Sequence, residues 1–563
     1  MEKLFMITTN NNWWKKEIFY QIYPASFKDS NNDGIGDIRG IIQELPKIHT
    51  LGITTIWLSP VYQSPMVDNG YDISDYKSIN PMFGTMKDLD ELIQKAKDLN
   101  IKIIMDLVLN HTSDQHYWFQ DAIKNSDSPY RKFYIFKEGK NNLPPNNWRS
   151  NFGKGSSWTL VPGETNLYYH HVFSKQQPDL NWENKELRFA LYDMINWWLK
   201  KGIAGFRIDA ITFIKKDQDF ASITPDGNDG LGKVKRKAEN RPGIDVFLNE
   251  LNEHTFKPAN AVTIGEASGV QYDQLDKFIG KKGYFSMIFD FHYADIDVRS
   301  GSEWYHQTNW TAQELNDAII KSQLAIQKYG WGANFLENHD QPRSISKYIK
   351  DPTYRNKIGA KALAMLFFFL RGCPFIYQGQ ELGVQNAQRT SIEQFNDISS
   401  PDNYYRAIEE GFSVKEALKF VNDRSRDNAR LPYPWSNGIN DGFNTGHKTW
   451  IGLNKHDPET NWQTEDKDEA SILNFYRTMI KIRQTSSLKD DLLNGEFLPV
   501  KNSTPSVIAY QRGQHAQVFV NLSSQVTQIQ LPQGKVLLNN YSDLKSEELL
   551  PYQAVLIEVN NHG

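Results

Sequence analysis

Eight short apolar or β-branched runs recur along this chain with helical patterns between them, and that alternation restricts its fold more than any other feature. They are EIFYQIY at 17–23, ITTIWLS at 53–59, KIIMDLV at 102–108, AGFRIDA at 204–210, AVTIGEA at 261–267, SMIFDF at 286–291, ANFLEN at 333–338 and PFIYQG at 374–379. Between the first and second runs, Ile38, Ile41, Ile42 and Leu45 keep the spacing of one helix face, and between the second and third Leu89, Leu92, Ile93 and Ala96 do the same. Strands that are apolar along their whole length are buried on both faces, which requires parallel pairing beneath covering helices. Eight strand-helix units predict an α/β fold, a closed (β/α)8 barrel.

The spacing between runs departs from a plain barrel in two places. Residues 113–184, after the third strand, are rich in Asn, Ser, Pro, Gly and Trp and too long for a bare loop, so they read as an inserted small domain, domain B. A second excess, 382–460, follows strand eight and reads as a subdomain. The barrel then occupies 1–112 and 185–489. From 490 to 563 the pattern changes to short alternating strands such as SVIAYQR, AQVFVNL and AVLIEVN, the signature of a C-terminal antiparallel β-sandwich. A chain of 563 residues is far above the ~250–300 at which one core stops growing, so several domains are expected.

Charge excludes one class of partner. The 63 basic and 67 acidic residues are mixed and give a formal net charge of −4, which argues against nucleic acid. Cys373, the single cysteine, rules out an internal disulfide, suits a reducing compartment and reads as a buried apolar thiol. The opening MEKLFMITTNNNWWKKE lacks the apolar run of a signal peptide, and ALAMLFFFL at 362–370 is too short to span a bilayer and reads as a buried helix. A cytoplasmic monomer without a membrane partner is the expectation.

The stretch DSNNDGIGDIRG, 29–40, resembles a calcium-binding EF-hand loop. Asp29, Asn31, Asp33 and Gly34 stand at the expected positions, but the closing bidentate glutamate is replaced by Gly40. Asp37 and the Ile35 carbonyl supply further oxygens. Alternating oxygens around a tight Gly turn predict a fixed structural ion site, not a switch.

In a barrel of this kind, side chains at the C-terminal strand ends converge on one face. The third strand carries Asp106 and leads into Asn110 and His111; the fourth carries Arg207 and Asp209; the fifth ends in Glu266; the seventh runs into His339 and Asp340. Three carboxylates, Asp209, Glu266 and Asp340, therefore face one pocket. Glycosidic cleavage requires two carboxyl groups of unequal proton affinity. Arg207, two residues before Asp209, shares its face of the strand and is expected to keep it ionised as the nucleophile. Glu266, flanked by Gly265 and Ala267 with no cation adjacent in sequence, is expected to act as general acid and then base. Retention of configuration requires the two carboxyl groups to lie ~5–5.5 Å apart.

The segments DLVLNHTS (106–113), GFRIDAI (205–211), TIGEAS (263–268), FLENHDQPR (335–343) and GCPFIYQGQELG (372–383) resemble the motif set of glycoside hydrolase family 13 over essentially the whole chain. QPDLNWEN (177–184) and the ion-like loop are similar to the oligo-1,6-glucosidase and α-glucosidase branch. The resemblance implies Asp209 as nucleophile, Glu266 as acid/base and Asp340 as the group that orients sugar hydroxyls. It further implies His111 and His339 as hydroxyl ligands, Tyr71 as a stacking face, and an Asp68–Arg426 pair gripping the non-reducing end. It makes the 29–37 loop a structural calcium site. A pocket closed at that end implies exo action on small oligosaccharides. In the similar enzymes α-1,6-specific members tend to carry valine directly after the nucleophile; Ala210 here implies a preference for α-1,4 bonds. Related functions remain open: a sucrose isomerase or transglucosylase, which passes the same intermediate to a sugar; an oligo-1,6-glucosidase; and a trehalose-6-phosphate hydrolase, which needs a cationic pocket that the sequence does not locate. Non-enzymatic transporter subunits related to these glucosidases are disfavoured by the retained carboxylates.

Overall fold

The computed structural model describes residues 12–141, 143–152, 155–454, 457–501 and 504–560. Its centre is a closed barrel of parallel strands: β1 Phe19–Ile22, β2 Thr55–Leu58, β3 Lys102–Val108, β4 Gly205–Asp209, β5 Val262–Gly265, β6 Met287–Phe289, β7 Gly332–Asn334 and β8 Cys373–Tyr377. Each overlaps one of the eight apolar runs, although the seventh strand ends at Asn334, four residues before its run does, and β8 closes the ring by pairing with β1 through Phe19 and Phe375. Every residue of β1 and β2 is buried, as strands covered on both faces require. Gly205 lets β4 approach β5 closely, because a Cβ there would stand 1.9 Å from the Val262 carbonyl oxygen.

The covering helices follow their expected faces. Helix α1, Ile38–Leu51, buries Ile38, Ile41 and Leu45 and half-buries Ile42; α2, Met86–Asp98, buries Leu89, Leu92 and Ala96. Asp37 caps α1 by accepting the Gly40 N–H, and a reciprocal Thr85–Asp88 capping box starts α2. The buried helix expected at 362–370 belongs to Lys357–Phe368 and is apolar all round because it lies between the barrel and the C-terminal sheet. That sheet hydrogen-bonds to its end: the Tyr510 hydroxyl donates to the Met365 and Leu366 carbonyls, and Arg512 to Phe369.

The C-terminal strands are β9 Phe497–Pro499, β10 Val507–Arg512, β11 Ala516–Asn521, β12 Gly534–Asn539 and β13 Ala554–Val559, ordered β9-β10-β11-β13-β12 and antiparallel. Alternation divides their side chains. Ile508, Tyr510, Val518, Val520, Ala554 and Leu556 join the barrel core, whereas Val507, Ala509, Phe519, Val555 and Ile557 form a second core with Leu531 and Leu549. Leu549 lies in a two-stranded sheet, Thr527–Gln528 with Glu548–Leu549, on the far side.

Between β3 and β4 the chain forms the helix Tyr117–Lys124 and a three-stranded sheet of Phe136–Glu138, Leu167–His170 and Trp158–Leu160. A short strand there, Trp148–Arg149, pairs with Gly232–Lys233 from the β4–β5 connection. After β8 come the helices Ser399–Glu409 and Val414–Arg424. Cys373 is fully buried, and burial pushes its thiol up to about 12, so it is inert. No helix among the described residues is long and apolar enough to cross a membrane.

Candidate active site

The barrel register brings the two central carboxylates to one level. Ile208 on β4 is opposite Gly265 on β5, and the Glu266 N–H donates to the Ile208 carbonyl, so Asp209 and Glu266 leave adjacent strands side by side. Arg207 on β4 pairs across β3 with Asp106. Its guanidinium is 1% exposed and bridges three acids: Nη1 lies 2.7 Å from Asp106 and 2.7 Å from Asp209, and Nη2 lies 3.0 Å from Glu266. Asp106 is fixed from its other side by the Trp57 indole N–H at 2.7 Å.

Two expectations about these groups need correction. Glu266 does have a cation beside it, because Arg207 reaches across the strands; sequence adjacency hides a partner one strand away. Nor does Arg207 alone set the state of Asp209. Burial, first, and the charges of Glu266 and Asp106 hold the Asp209 pKa well above the usual carboxylate range, against the pull of Arg207. Asp209 and Glu266 thus share one guanidinium, while the burial of Asp209 favours its neutral form. Ala210 contributes through its backbone. It stands in the left-handed region, φ 41° and ψ 35°, which aims its N–H at Glu266 Oε2 at 2.9 Å. Its side chain packs in a buried cluster with Trp148, Val172 and Phe213.

Tyr71, whose ring centre lies 5.9 Å from Arg207 Cζ, links these groups to a second cluster, in which His339 Nε2 lies 3.0 Å from Asp340 and 2.5 Å from the Tyr71 hydroxyl. The Gln21 amide donates to His339 Nδ1 at 2.8 Å, which leaves the ring proton on Nε2, directed at Asp340. The His339 and Tyr71 rings stack at 5.5 Å, so His339 covers one face of Tyr71. Burial opposes ionisation of Asp340, but His339, Arg426 and Arg430 outweigh it and hold its pKa well below the usual range. Arg430 Nη2 is 2.9 Å from Asp340 and Arg426 Nη1 is 3.5 Å. Arg426 Nη2 also lies 3.1 Å from Asp68, so the expected Asp68–Arg426 pair is formed.

His111 is 1% exposed and lies beneath Tyr71, 3.2 Å from its carbonyl, and beside Gln177, whose amide donates to Asp68 at 3.1 Å. Burial pushes His111 down to about 4, so it is neutral near pH 7. Lys216, also buried, places its ammonium 3.0 Å from Asp179 and 2.7 Å from the Asn110 amide oxygen, joining the β4–β5 connection to the segment before β4.

Sequence reasoning passed over Gln21, Trp57, Arg430 and Asp397. Arg430 carried a signal, since it follows Arg426 by four residues in RDNAR. Gln21 and Trp57 lie inside apolar strands, and Asp397 lies in irregular chain with no period to mark it.

The 29–37 loop lies in the β1–α1 connection; its Gly34 carbonyl accepts the Trp450 N–H, and the Trp450 ring packs on Tyr23, which stacks on His339. Asn32 and Gly34 take positive φ, 65° and 100°, and fold the chain around Asp29. The Asp29 carboxylate accepts N–H groups of Asn31, Asn32 and Gly34 and the Asn444 amide. Asp37 accepts from Ser30 and Gly40, and Asp33 from Ile35 and the Asn31 amide. The donors, all oxygens, are those a hard cation takes. Among the described residues no three His, Cys, Asp or Glu side chains are gathered as a metal centre, since these carboxylates turn toward N–H groups.

Comparison with known proteins agrees with this geometry. The alpha-amylase catalytic-domain family model matches residues 21–491. A Bacillus subtilis (strain 168) protein named "Probable oligo-1,6-glucosidase 3" is 44% identical over 504 residues, 89% of this chain and 88% of its own. An Escherichia coli (strain K12) trehalose-6-phosphate hydrolase is 37% identical over 97% of this chain and 98% of its own. The crystal structure of the isomaltulose synthase SmuA from Protaminobacter rubrum superposes with a TM-score of 0.91 at 37% identity, covering 98% of this chain and 99% of that one. A barrel whose strand ends carry an arginine-bridged carboxylate pair, in a chain matched along nearly its full length by such enzymes, belongs to the alpha-amylase family of glycoside hydrolases, in its α-glucosidase branch.

Proposed function

We propose that this protein is a retaining, exo-acting α-glucosidase that releases glucose from the non-reducing end of small α-glucosides, with α-1,4 bonds preferred. The observation that carries the mechanism is the Arg207 guanidinium held between Asp209 and Glu266. Asp209 attacks the anomeric carbon while Glu266 gives its proton to the leaving oxygen, forming a covalent glucosyl ester. Glu266, now ionised, takes a proton from water, which opens the ester and restores the α configuration. The ionised Asp340 accepts hydrogen bonds from ring hydroxyls, and the surplus of carboxylates stabilises the oxocarbenium-like transition state. The Asp68–Arg426 pair closes the pocket beyond one glucosyl unit. Asp209→Asn should lower kcat by roughly ten-thousand-fold or more. Wild type should release α-glucose first, read by NMR before mutarotation. β-Glucose as the first product, or near-normal turnover by the variant, contradicts the mechanism.

The linkage preference rests on Ala210. The second sugar leaves the pocket along different paths for the two linkages, and a larger side chain beside the nucleophile would press on Trp148, Val172 and Phe213, which pack around Ala210, and through them crowd one path more than the other. A contact of this kind is worth ~1–3 kcal/mol. The relatives named oligo-1,6-glucosidase favour the opposite reading, hydrolysis of α-1,6 bonds. The ratio of kcat/KM on maltose and isomaltose separates the two. Wild type should prefer maltose, and Ala210→Val should shift the ratio toward isomaltose by about tenfold. A β-branched side chain at positive φ is strained, so the comparison is made on folded variant. A wild-type preference for isomaltose, or a ratio unmoved by valine, defeats the α-1,4 reading.

The 29–37 loop takes a structural calcium ion through Asp29, Asn31, Asp33, the Ile35 carbonyl and Asp37. Supporting this are the all-oxygen donor set and the left-handed turns at Asn32 and Gly34. These oxygens would hold the ion, which would supply neutralisation of the loop's three carboxylates. Chelation should lower the melting temperature by about 3 °C or more, with activity at moderate temperature kept. An immediate, calcium-reversible loss of turnover in folded protein would reject a purely structural role.

A further inference from the structure

The Asp68–Arg426 pair is not self-supporting. Arg426 belongs to a single 3-10 turn, Arg426–Asn428, in the long insertion after β8. Its contact with Asp68 is one Nη2 atom at 3.1 Å, and its contact with Asp340 is longer, 3.5 Å. The stronger hold comes from Asp397, fully buried in the irregular chain ahead of the helix Ser399–Glu409. Its Oδ1 accepts Arg426 Nε at 2.8 Å and lies 2.7 Å from Nη2, and its Oδ2 accepts the Arg426 backbone N–H at 3.2 Å. Asp397 is itself fixed by the Ser399 N–H at 3.0 Å, the Ser400 hydroxyl at 3.2 Å, and its own N–H, which donates to Asp427 at 3.3 Å. Phe152 of the β3–β4 insertion lies against the guanidinium, 5.3 Å from Cζ to the ring centre.

One edge of a planar guanidinium cannot be rotated without the other. With Nε and Nη2 committed to Asp397, the Arg426 plane is set, and with it the direction in which Nη2 meets Asp68. We propose that Asp397 is the positioning residue for the closed end of the pocket: it sets Arg426 in the orientation that bars the non-reducing side of the bound glucosyl unit. This rests on the exo-acting reading above. In an α-1,4 chain the next sugar would be attached through O4, so a bar against extension faces O4. Asp397 thereby controls recognition of the substrate 4-hydroxyl without touching substrate.

The test compares p-nitrophenyl α-glucoside with its 4-deoxy analogue in wild type, Asp397→Asn and Asp397→Glu. Wild type should favour the parent by at least about tenfold in kcat/KM, because a site built to pair a hydroxyl is left unpaired by the analogue. In Asp397→Asn that ratio should fall toward one, through a KM for the parent raised about tenfold, while KM for the analogue moves less than about twofold. A merely structural lesion lowers both substrates together and leaves the ratio intact. Asp397→Glu, which keeps the charge and displaces it by a methylene, should lower the ratio by a smaller factor and answers the question if the asparagine variant does not fold. A wild-type ratio near one overturns the reading of the barred end. A large wild-type ratio that persists in either folded variant overturns the role of Asp397 alone.

Discussion

The site depends on one buried guanidinium among three carboxyl groups. Asp106, Asp209 and Glu266 leave adjacent strands within reach of Arg207, whose single charge opposes the burial that disfavours ionised carboxylates in a dry barrel. A buried cluster of this kind does not make the fold stable, since desolvation of each charge offsets its attraction. What it fixes is position. The strand register sets the heights of Asp209 and Glu266, and the planar fork of Arg207 sets their directions, so the two carboxyl groups are placed side by side by the fold itself, as the proposed attack and protonation require.

The opposite wall is built differently. Arg426 and Arg430 meet Asp68, Asp340 and Asp397 there, and the cations pull Asp340 far below its usual pKa while Asp209 is held above its own. Similar acids thus acquire separate roles from their surroundings. In the mechanism proposed, Asp340 carries a permanent charge that orders hydroxyls, Asp209 attacks, and Glu266 alone exchanges a proton. Both walls hold more carboxylates than cations, which suits a transition state carrying positive charge on the sugar ring.

The barrel was legible because each strand is buried on both faces, so its run is apolar throughout, and because helices such as Ile38–Leu51 bury a regular stripe. Asp209 and Glu266 were legible as candidates because they stand at the ends of such runs, and Asp340 because it follows one closely. Contacts between elements were not. Sequence places Arg207 two residues from Asp209 and 59 positions from Glu266, yet the guanidinium touches both. The left-handed turn at Ala210, which directs an N–H at Glu266, has no sequence signal because alanine rarely adopts it. Asp397 lies beyond any periodic argument, since irregular segments are set by the partners they meet.

The most direct measurement is the pH dependence of kcat/KM in wild type and Arg207→Lys. In the proposed mechanism Asp209 must be ionised to attack, so activity should rise with pH through its pKa. Burial and the neighbouring carboxylates raise that pKa, and Arg207 lowers it, so wild type should show an acidic limb above the ordinary carboxylate value of ~3.9. Lysine keeps one charge but cannot span three carboxylates, so the limb should move up by about one unit and kcat should fall. A limb at the same pH with kcat intact would contradict the claim that one guanidinium organises the site.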